Sequence, residues 1–358
     1  MKRSLFENIN IGNLKLKNRL IRGALMQRFV GKDGVVTAEE SDDLENVAKG
    51  GVAMIITGMM AVDKHSAALS EMLRADFDGF TKSYAPIVNR VHRAGSLLVA
   101  QLCHCGARAV AAEDGVLSPS DIEIGETKAR EMTIAEIKAA TESFAAAAAK
   151  CKECGFDGVE LHGAHGYLLS EFLSPYFNRR IDEYGGSLPN RARFLSETVK
   201  AVREKVGRDY PVLVKINGSD YVEPGFTKEE CVEVCKMLET AGCTAVEISG
   251  GASVSKESAA TRPGIKLDGQ GTYRDEAAAV ADAVNIPVIS VCGYRDPDFI
   301  EQVLNETKIT AFSLARPIVR EPDLPKRWQE GDRSPGTCLS CNRCFAAEHR
   351  GCPVLRKA

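Results

Sequence analysis

"AEIKAATESFAAAAAKCKECGFDGVELHGAHGY" (residues 135–167) contains the unit from which most of the chain is built. A helical pattern runs to Gly155, a residue suited to the position just past a helix end. The short apolar run FDGVELH (156–162) then reads as a strand. At its end stand His162, His165 and Tyr167, two of the chain's six histidines with a phenol beside them.

Working outward, strand-like runs recur at RLIRGAL (19–25), VAMIITG (52–58), SLLVAQL (96–102), PVLVKIN (211–217), CTAVEIS (243–249), IPVISVC (286–292) and ITAFSLA (309–315). Helical patterns separate them, such as LSETVKAVREKVG (195–207) and KEECVEVCKMLETAG (228–242), each closed by a glycine. Several runs are apolar on both faces, as parallel strands covered by helices are. Eight strands alternating with helices predict an α/β fold, a (β/α)8 TIM barrel over residues 1–331. Residues 5–17, around Gly12, are expected to form an N-terminal hairpin closing the far end of the barrel. Residues 332–358 form a short Cys-rich C-terminal tail. The first part of segment 103–155, with Gly106, Gly115, Pro119 and Gly125, and segments 174–193 and 250–271 follow strands 3, 4 and 6, and read as loops on the face where barrels carry chemistry.

The chain has 358 residues, 44% hydrophobic and 27% charged, enough to bury a large core. Its net charge of −3 gives no electrostatic case for nucleic acid or anionic membrane. The basic start lacks an apolar segment after it, so no signal peptide is read. No apolar run approaches the ~18 residues of a membrane span. A cytoplasmic location is expected, and with it free thiols or metal ligands among the twelve cysteines rather than disulfides. Cys151, Cys154, Cys231, Cys235, Cys243 and Cys292 fall in apolar patterns and read as small buried hydrophobes.

The strand ends carry residues that a purely structural barrel does not need. Strand 1 ends in Ala24, Leu25 and Met26, strand 2 in Gly58, and strand 3 in Gln101 with His104 and Arg108 beyond. Strand 5 carries Lys215, strand 7 ends at Gly293, and strand 8 at Ala315 and Arg316. An amide, a lysine and a glycine–arginine end at strands 7 and 8 point to a large planar ligand with a phosphate, held by backbone N–H groups and Arg316. Flavin mononucleotide fits, and so does a phosphorylated sugar. Each residue also has a plain structural use: an ion pair for Lys215, a turn for Gly293, loop hydrogen bonds for the histidines.

These residues carry a resemblance over about residues 5–330. IGNLKLKNRL, GGVAMIITG, QLCHCGAR, VELHGAHGYLLSEFLSPYFNRRIDEYGGSLPNRARFL, VEISGG and SLARPIVREPDLP are similar to the Old Yellow Enzyme family of flavin-dependent ene-reductases. The resemblance implies FMN across the barrel mouth, touched by Ala24 and Leu25, with Gly58 and Gln101 at the ring edge. It places Lys215 near N1 and O2, and Gly293, Ala315 and Arg316 at the phosphate. His162 and His165 then donate hydrogen bonds to an oxygen of an enone- or enoate-type substrate, and Tyr167 supplies the proton, with NAD(P)H as electron donor. Negative charge growing on that oxygen is what paired N–H donors stabilise. The segment GALMQ departs from the family by placing Ala24 where proline is common and Met26 at the position that tunes the flavin.

The tail reads CLSCNRCFAAEHRGCPVLRKA, with Cys338, Cys341 and Cys344 spaced three apart and Cys352 following. That spacing suits an iron–sulfur cube; zinc or an unmetallated tail are the alternatives. The resemblance points to the branch that includes 2,4-dienoyl-CoA reductase and trimethylamine dehydrogenase, where four cysteines hold a [4Fe–4S] cluster fed by a second domain. This sequence carries no G-x-G-x-x-G fingerprint of such a domain, so an electron-donor protein is a candidate partner. A homo-oligomer is expected. Other open readings are a flavin-dependent dehydrogenase or demethylase, a Schiff-base aldolase using Lys215, and a non-catalytic electron-transfer subunit.

Overall fold

The computed structural model describes residues 2–26, 29–31, 34–68, 72–110, 115–252, 254–255, 262–346 and 351–354. Eight parallel strands form its centre: β1 (Leu20–Arg22), β2 (Met54–Ala61), β3 (Leu97–Cys103), β4 (Gly158–Gly163), β5 (Val212–Asn217), β6 (Ala245–Ser249), β7 (Val288–Val291) and β8 (Ala311–Leu314). Each pairs with the next, and β8 returns to pair with β1, so the sheet closes into a barrel. Closure leaves no row of unpaired backbone groups along a barrel edge. Around it lie α1 (Ala38–Lys49), α2 (Phe80–Arg93), α3 (Ile134–Cys154), α4 (Arg193–Val206), α5 (Lys228–Thr240), α6 (Arg274–Ala283) and α7 (Pro297–Glu306). All eight predicted strands are present, in the predicted order.

Local chemistry fixes where the helices begin and end. Thr133 and Thr227 each cap a helix in a reciprocal box with a glutamate three residues on, Glu136 for α3 and Glu230 for α5. Gly155 ends α3 in the left-handed region at φ +94°. None of the described helices is long and apolar enough to cross a membrane.

Residues 9–16 form the expected hairpin, Ile9–Ile11 against Leu14–Leu16. Its Ile11, Leu14 and Leu16 pack in one buried cluster with the barrel-lining Ile21, Met54, Ile56, Val99, Leu213, Ala245, Ile289 and Ala311. The hairpin therefore plugs the end where the strands begin. Two residues further along, the same strand faces turn polar: Val99 gives way to Gln101, Leu213 to Lys215, Ala245 to Glu247 and Ala311 to Ser313. The period of two keeps each pair on one face, so the barrel interior is apolar at one end and ionisable at the other.

Two expectations need correction. The segment after β3 is not only loop: Val116–Ser118, Ile122–Ile124 and Thr127–Glu131 form a three-stranded sheet. Runs of three to five residues are too short to show a period in sequence. Strand β2 does not stop at Gly58 but runs to Ala61, across a register shift between Ile56 and Met59, and then pairs with Leu73–Arg74. In the loop after β6, residue 253 and residues 256–261 lie outside the described residues.

Candidate active site

The ends of the strands enclose a cavity of about 440 Å³. Its wall brings together Ala24, Leu25, Gln101, His162, His165, Tyr167, Lys215, Gly293, Ala315 and Arg316, residues spread over nearly the whole chain. Every residue expected at the ligand site is there except Gly58. That glycine sits in the irregular part of β2, where a Cβ would stand 3.0 Å from the Leu25 carbonyl oxygen. Its smallness lets the end of β1 approach β2, and its neighbour Met59 lines the cavity instead.

The histidine–tyrosine group is rigidly placed. Its three rings meet edge to face, with centroids 5.0 Å apart for His162 and His165 and 4.8 Å apart for His162 and Tyr167. The Ala164 N–H donates to His162 Nδ1 at 3.4 Å, which leaves the ring's proton on Nε2. His165 is held differently. Its backbone N–H donates to Asn217 Oδ1, its Nε2 lies 2.7 Å from Ser249 Oγ, and its φ is +66°. The two imidazoles are therefore not equivalent, because one His165 nitrogen is already spent on β6. Burial, then the nearby Lys215 and Arg108 charges, push His162 well below the usual imidazole range. Burial, then His162, Lys215 and Arg108, do the same to His165, so both rings are neutral donors or acceptors near pH 7.

Tyr167 precedes a short helix, Leu168–Leu173, that ties the loops after β3 and β4 together. Leu168 N–H donates to the His104 carbonyl at 3.0 Å, and the Glu171 carboxylate accepts from Ala107 N–H at 2.9 Å. These bonds bring the guanidinium of Arg108 to 4.6 Å from the centre of the Tyr167 ring, a cation–π contact. Burial pushes the phenol's pKa up, and the Arg108 charge opposes it. The phenol keeps its proton at neutral pH. Sequence reasoning noted Arg108 without giving it a role; only the closed loop carries it over the ring.

On the strands that flank β4 lie Lys215, in register with His162, and Gln101, in register with Glu160. Gln101 Nε2 donates to Glu160 Oε1 at 2.6 Å, and Lys215 Nζ lies 3.1 Å from Glu247 Oε2. Glu160 and Glu247, which stand within the strand runs FDGVELH and CTAVEIS, are both fully buried. At the end of β7, Cys292 and Gly293 follow one another at φ +96° and +83°. A positive φ is strained for cysteine, which corrects its reading as one more buried hydrophobe: its residue lines the cavity. Arg316 Nη1 donates to the carbonyls of Arg262 and Ser340.

Cys338, Cys341, Cys344 and Cys352 surround a second, small void of about 20 Å³. Arg316 and Asn342 line both voids, so one guanidinium stands between the strand ends and the cysteines. Among the described residues, no three His, Cys, Asp or Glu side chains are drawn together as ligands of a single ion.

The donor set can be tested against FMN. The cavity wall carries a neutral amide and an ammonium, Gln101 and Lys215, and a guanidinium with a positive-φ glycine turn, Arg316 and Gly293. An isoalloxazine edge needs the first and a phosphate the second, so these residues fit the group.

The family model described as NADH:flavin oxidoreductase / NADH oxidase matches residues 4–334. A NADH oxidase from Thermoanaerobacter brockii is 34% identical over 95% of this chain and 53% of its own length. An NADPH dehydrogenase from Bacillus velezensis is 32% identical over 90% of this chain and 93% of its own. A solved structure of a 2-naphthoyl-CoA reductase with 2-naphthoyl-CoA superposes with a TM-score of 0.89 at 28% identity, over 96% of this chain and 55% of that one. The chain thus spans about half the length of the first of these relatives and of the solved reductase.

Proposed function

Because the chain belongs to the NADH:flavin oxidoreductase / NADH oxidase family, we propose that it is an FMN-dependent NAD(P)H:acceptor oxidoreductase that reduces the C=C bond of α,β-unsaturated carbonyl compounds. The observation that carries this reading is the wall shared by His162, His165 and Tyr167 with Gln101, Lys215 and Arg316. Bound FMN supplies the hydride for the carbon β to the carbonyl, having been reduced by NAD(P)H.

The chain's own residues do the rest. His162 donates its Nε2–H to the substrate carbonyl oxygen, where negative charge grows as the hydride arrives. His165 completes the clamp from a ring already fixed by Ser249. Tyr167 delivers its proton to the α carbon as a general acid. Arg108, stacked on that ring, stabilises the phenolate left behind. Gln101 and Lys215 hold the ring edge, and Gly293, Ala315 and Arg316 hold the phosphate. Near-neutral imidazoles serve this clamp better than charged ones would serve a cation-lined cavity, since Lys215 and Arg108 already lie nearby.

A second element concerns electron supply. Four thiols about one void suit a [4Fe–4S] cube, which is met at four corners rather than at one point. Arg316, common to both voids, supports a route from such a cluster, charged by a partner protein, to the flavin site.

The test is an anaerobic titration of the purified protein with NADH and NADPH, followed by a panel of enones and enoates. Bleaching of a flavin spectrum by either nucleotide and its return on adding an enone is the expected result. A protein that purifies without flavin and does not bind FMN overturns the reading. Reduction only by a protein donor selects the cluster route.

A further inference from the structure

Beneath the cavity floor the barrel buries two carboxylates against one ammonium. Glu160 (β4), Glu247 (β6) and Lys215 (β5) come from neighbouring or next-neighbouring strands, and the two glutamates are 0% exposed. If both were ionised, Lys215 would leave one negative charge uncompensated in a site closed to water. A lone buried charge costs several kcal/mol. The hydrogen bonds make the same point. Apart from the Lys215 ammonium, 3.1 Å from Glu247 Oε2, Glu160 Oε2, both Glu247 oxygens and Ser313 Oγ find no hydrogen-bond partner among the described residues. Two carboxylates can only accept; one proton makes either of them a donor to the other.

We infer that Glu160 and Glu247 form a carboxyl–carboxylate pair carrying a single proton, which orients Gln101, compensates Lys215, and thereby sets the electron affinity of the cofactor in the cavity above. The last clause rests on the flavin reading; the shared proton does not. The proton's place follows from the surroundings. Glu247 lies beside Lys215, so it holds the charge, whereas Glu160 faces Glu247 and the neutral Gln101 amide. Burial, then the Glu247 charge, push Glu160 well above the usual carboxylate range. Burial opposes ionisation of Glu247, but the Lys215 charge, with Glu160 and Ser313 close by, outweighs it and holds it low. Lys215 is held charged by Glu247 and Glu160 against its own desolvation. The other groups facing the set include His162, in register with Lys215, and His165, together with Ser313 of β8, Cys243 just before β6, and Cys292 just past β7.

Two consequences follow for the site. With Glu160 neutral, its Oε1 accepts from Gln101 Nε2, which leaves the Gln101 carbonyl oxygen free to meet a ring N–H. With Glu247 ionised, the positive charge that Lys215 would otherwise offer a reduced ring is balanced from below. Glu160 and Glu247 are thus positioning residues, acting through Gln101 and Lys215.

Infrared difference spectroscopy and redox titration of the holoenzyme test the pair. Besides the band of the buried Glu171, the native protein is expected to show a second buried carboxylic-acid C=O band, that of the pair, which persists well above the pH at which ordinary carboxylates ionise. Glu160→Gln should lose this second band with the flavin midpoint unchanged, because the amide is neutral as the acid was. Glu247→Gln should also lose it, because the remaining carboxyl ionises to balance Lys215. The double variant should raise the midpoint, leaving Lys215 unbalanced. A native protein without the second band, a second band that survives in both single variants, or a Glu160→Gln midpoint shifted as far as the double variant's would each overturn the inference. The band does not depend on flavin, so its absence and a failure to bind FMN are separate outcomes. Glu160→Gln alone keeps the test decisive where the double variant does not fold.

Discussion

The strand-end residues His162–Tyr167 and the cysteines at 338–352 are both short motifs, but the chain holds them in different ways. The first follows a barrel strand. It is fixed by bonds to β5, β6 and the loop after β3, through Asn217, Ser249 and His104. The second lies on a segment whose only regular element among the described residues is the turn Arg343–Phe345. It is held from outside, by Arg295 and Arg316 on Ser340 and by Arg320 on Cys352. A motif on a closed barrel has its geometry imposed by the backbone. A motif on a tail takes its final geometry from what its thiols bind.

This contrast can be broken or sharpened by experiment. The largest expected effect is at the tail: Cys341→Ser should abolish iron and acid-labile sulfide while the purified protein keeps its flavin. Loss of both together would mean the two regions form one unit. Tyr167→Phe should slow reoxidation by an enone about 10²- to 10⁴-fold, the usual contribution of a general acid, with reduction by NAD(P)H unaltered; rapid-mixing kinetics of the two half-reactions separates these. Arg316 tests the bridge. Arg316→Ser should weaken FMN binding about 10- to 100-fold, as loss of one charge-assisted hydrogen bond implies, and should loosen the tail to proteolysis. Binding unchanged by fluorescence titration would confine Arg316 to the tail.

Smaller effects calibrate the scaffold. Thr133→Ala removes the cap of α3 and should cost about 1 kcal/mol of stability in urea, leaving turnover alone. The last prediction is a flat line. Both histidines have pKa values below the free-imidazole value, so acidification from about pH 8 to about pH 6 adds no proton to them. Affinity for a phenol or carbonyl ligand should therefore not step in that range. A step centred at the free-imidazole pKa would place the rings in water rather than in the barrel.

Much of the fold was legible because its information is local. Strand runs such as PVLVKIN and CTAVEIS, the terminal Gly155 and the hairpin around Gly12 each declare themselves within a few residues. The cavity wall was legible too, since its members stand at or just beyond the end of such a run. The misreadings share a cause. The second strand runs on past Gly58 through an irregularity set by the approach of Leu25, and Cys292 lines the cavity through a positive-φ turn, and neither leaves a periodic trace. The small sheet at 116–131 is made of strands shorter than the pattern that detects them.

By itself the sequence determined the eight strands, their order, and which residues stand at their ends, because side-chain period and helix caps act over one turn or one pleat. Only the tertiary structure decided that His165 spends a nitrogen on Ser249, that Arg108 lies over Tyr167, that Arg316 stands between two voids, and that Glu160 and Glu247 face one lysine. Those pairings depend on the stagger with which the barrel closes. Closure joins strands far apart in the chain, and the desolvation it imposes then decides which of their polar groups stay charged.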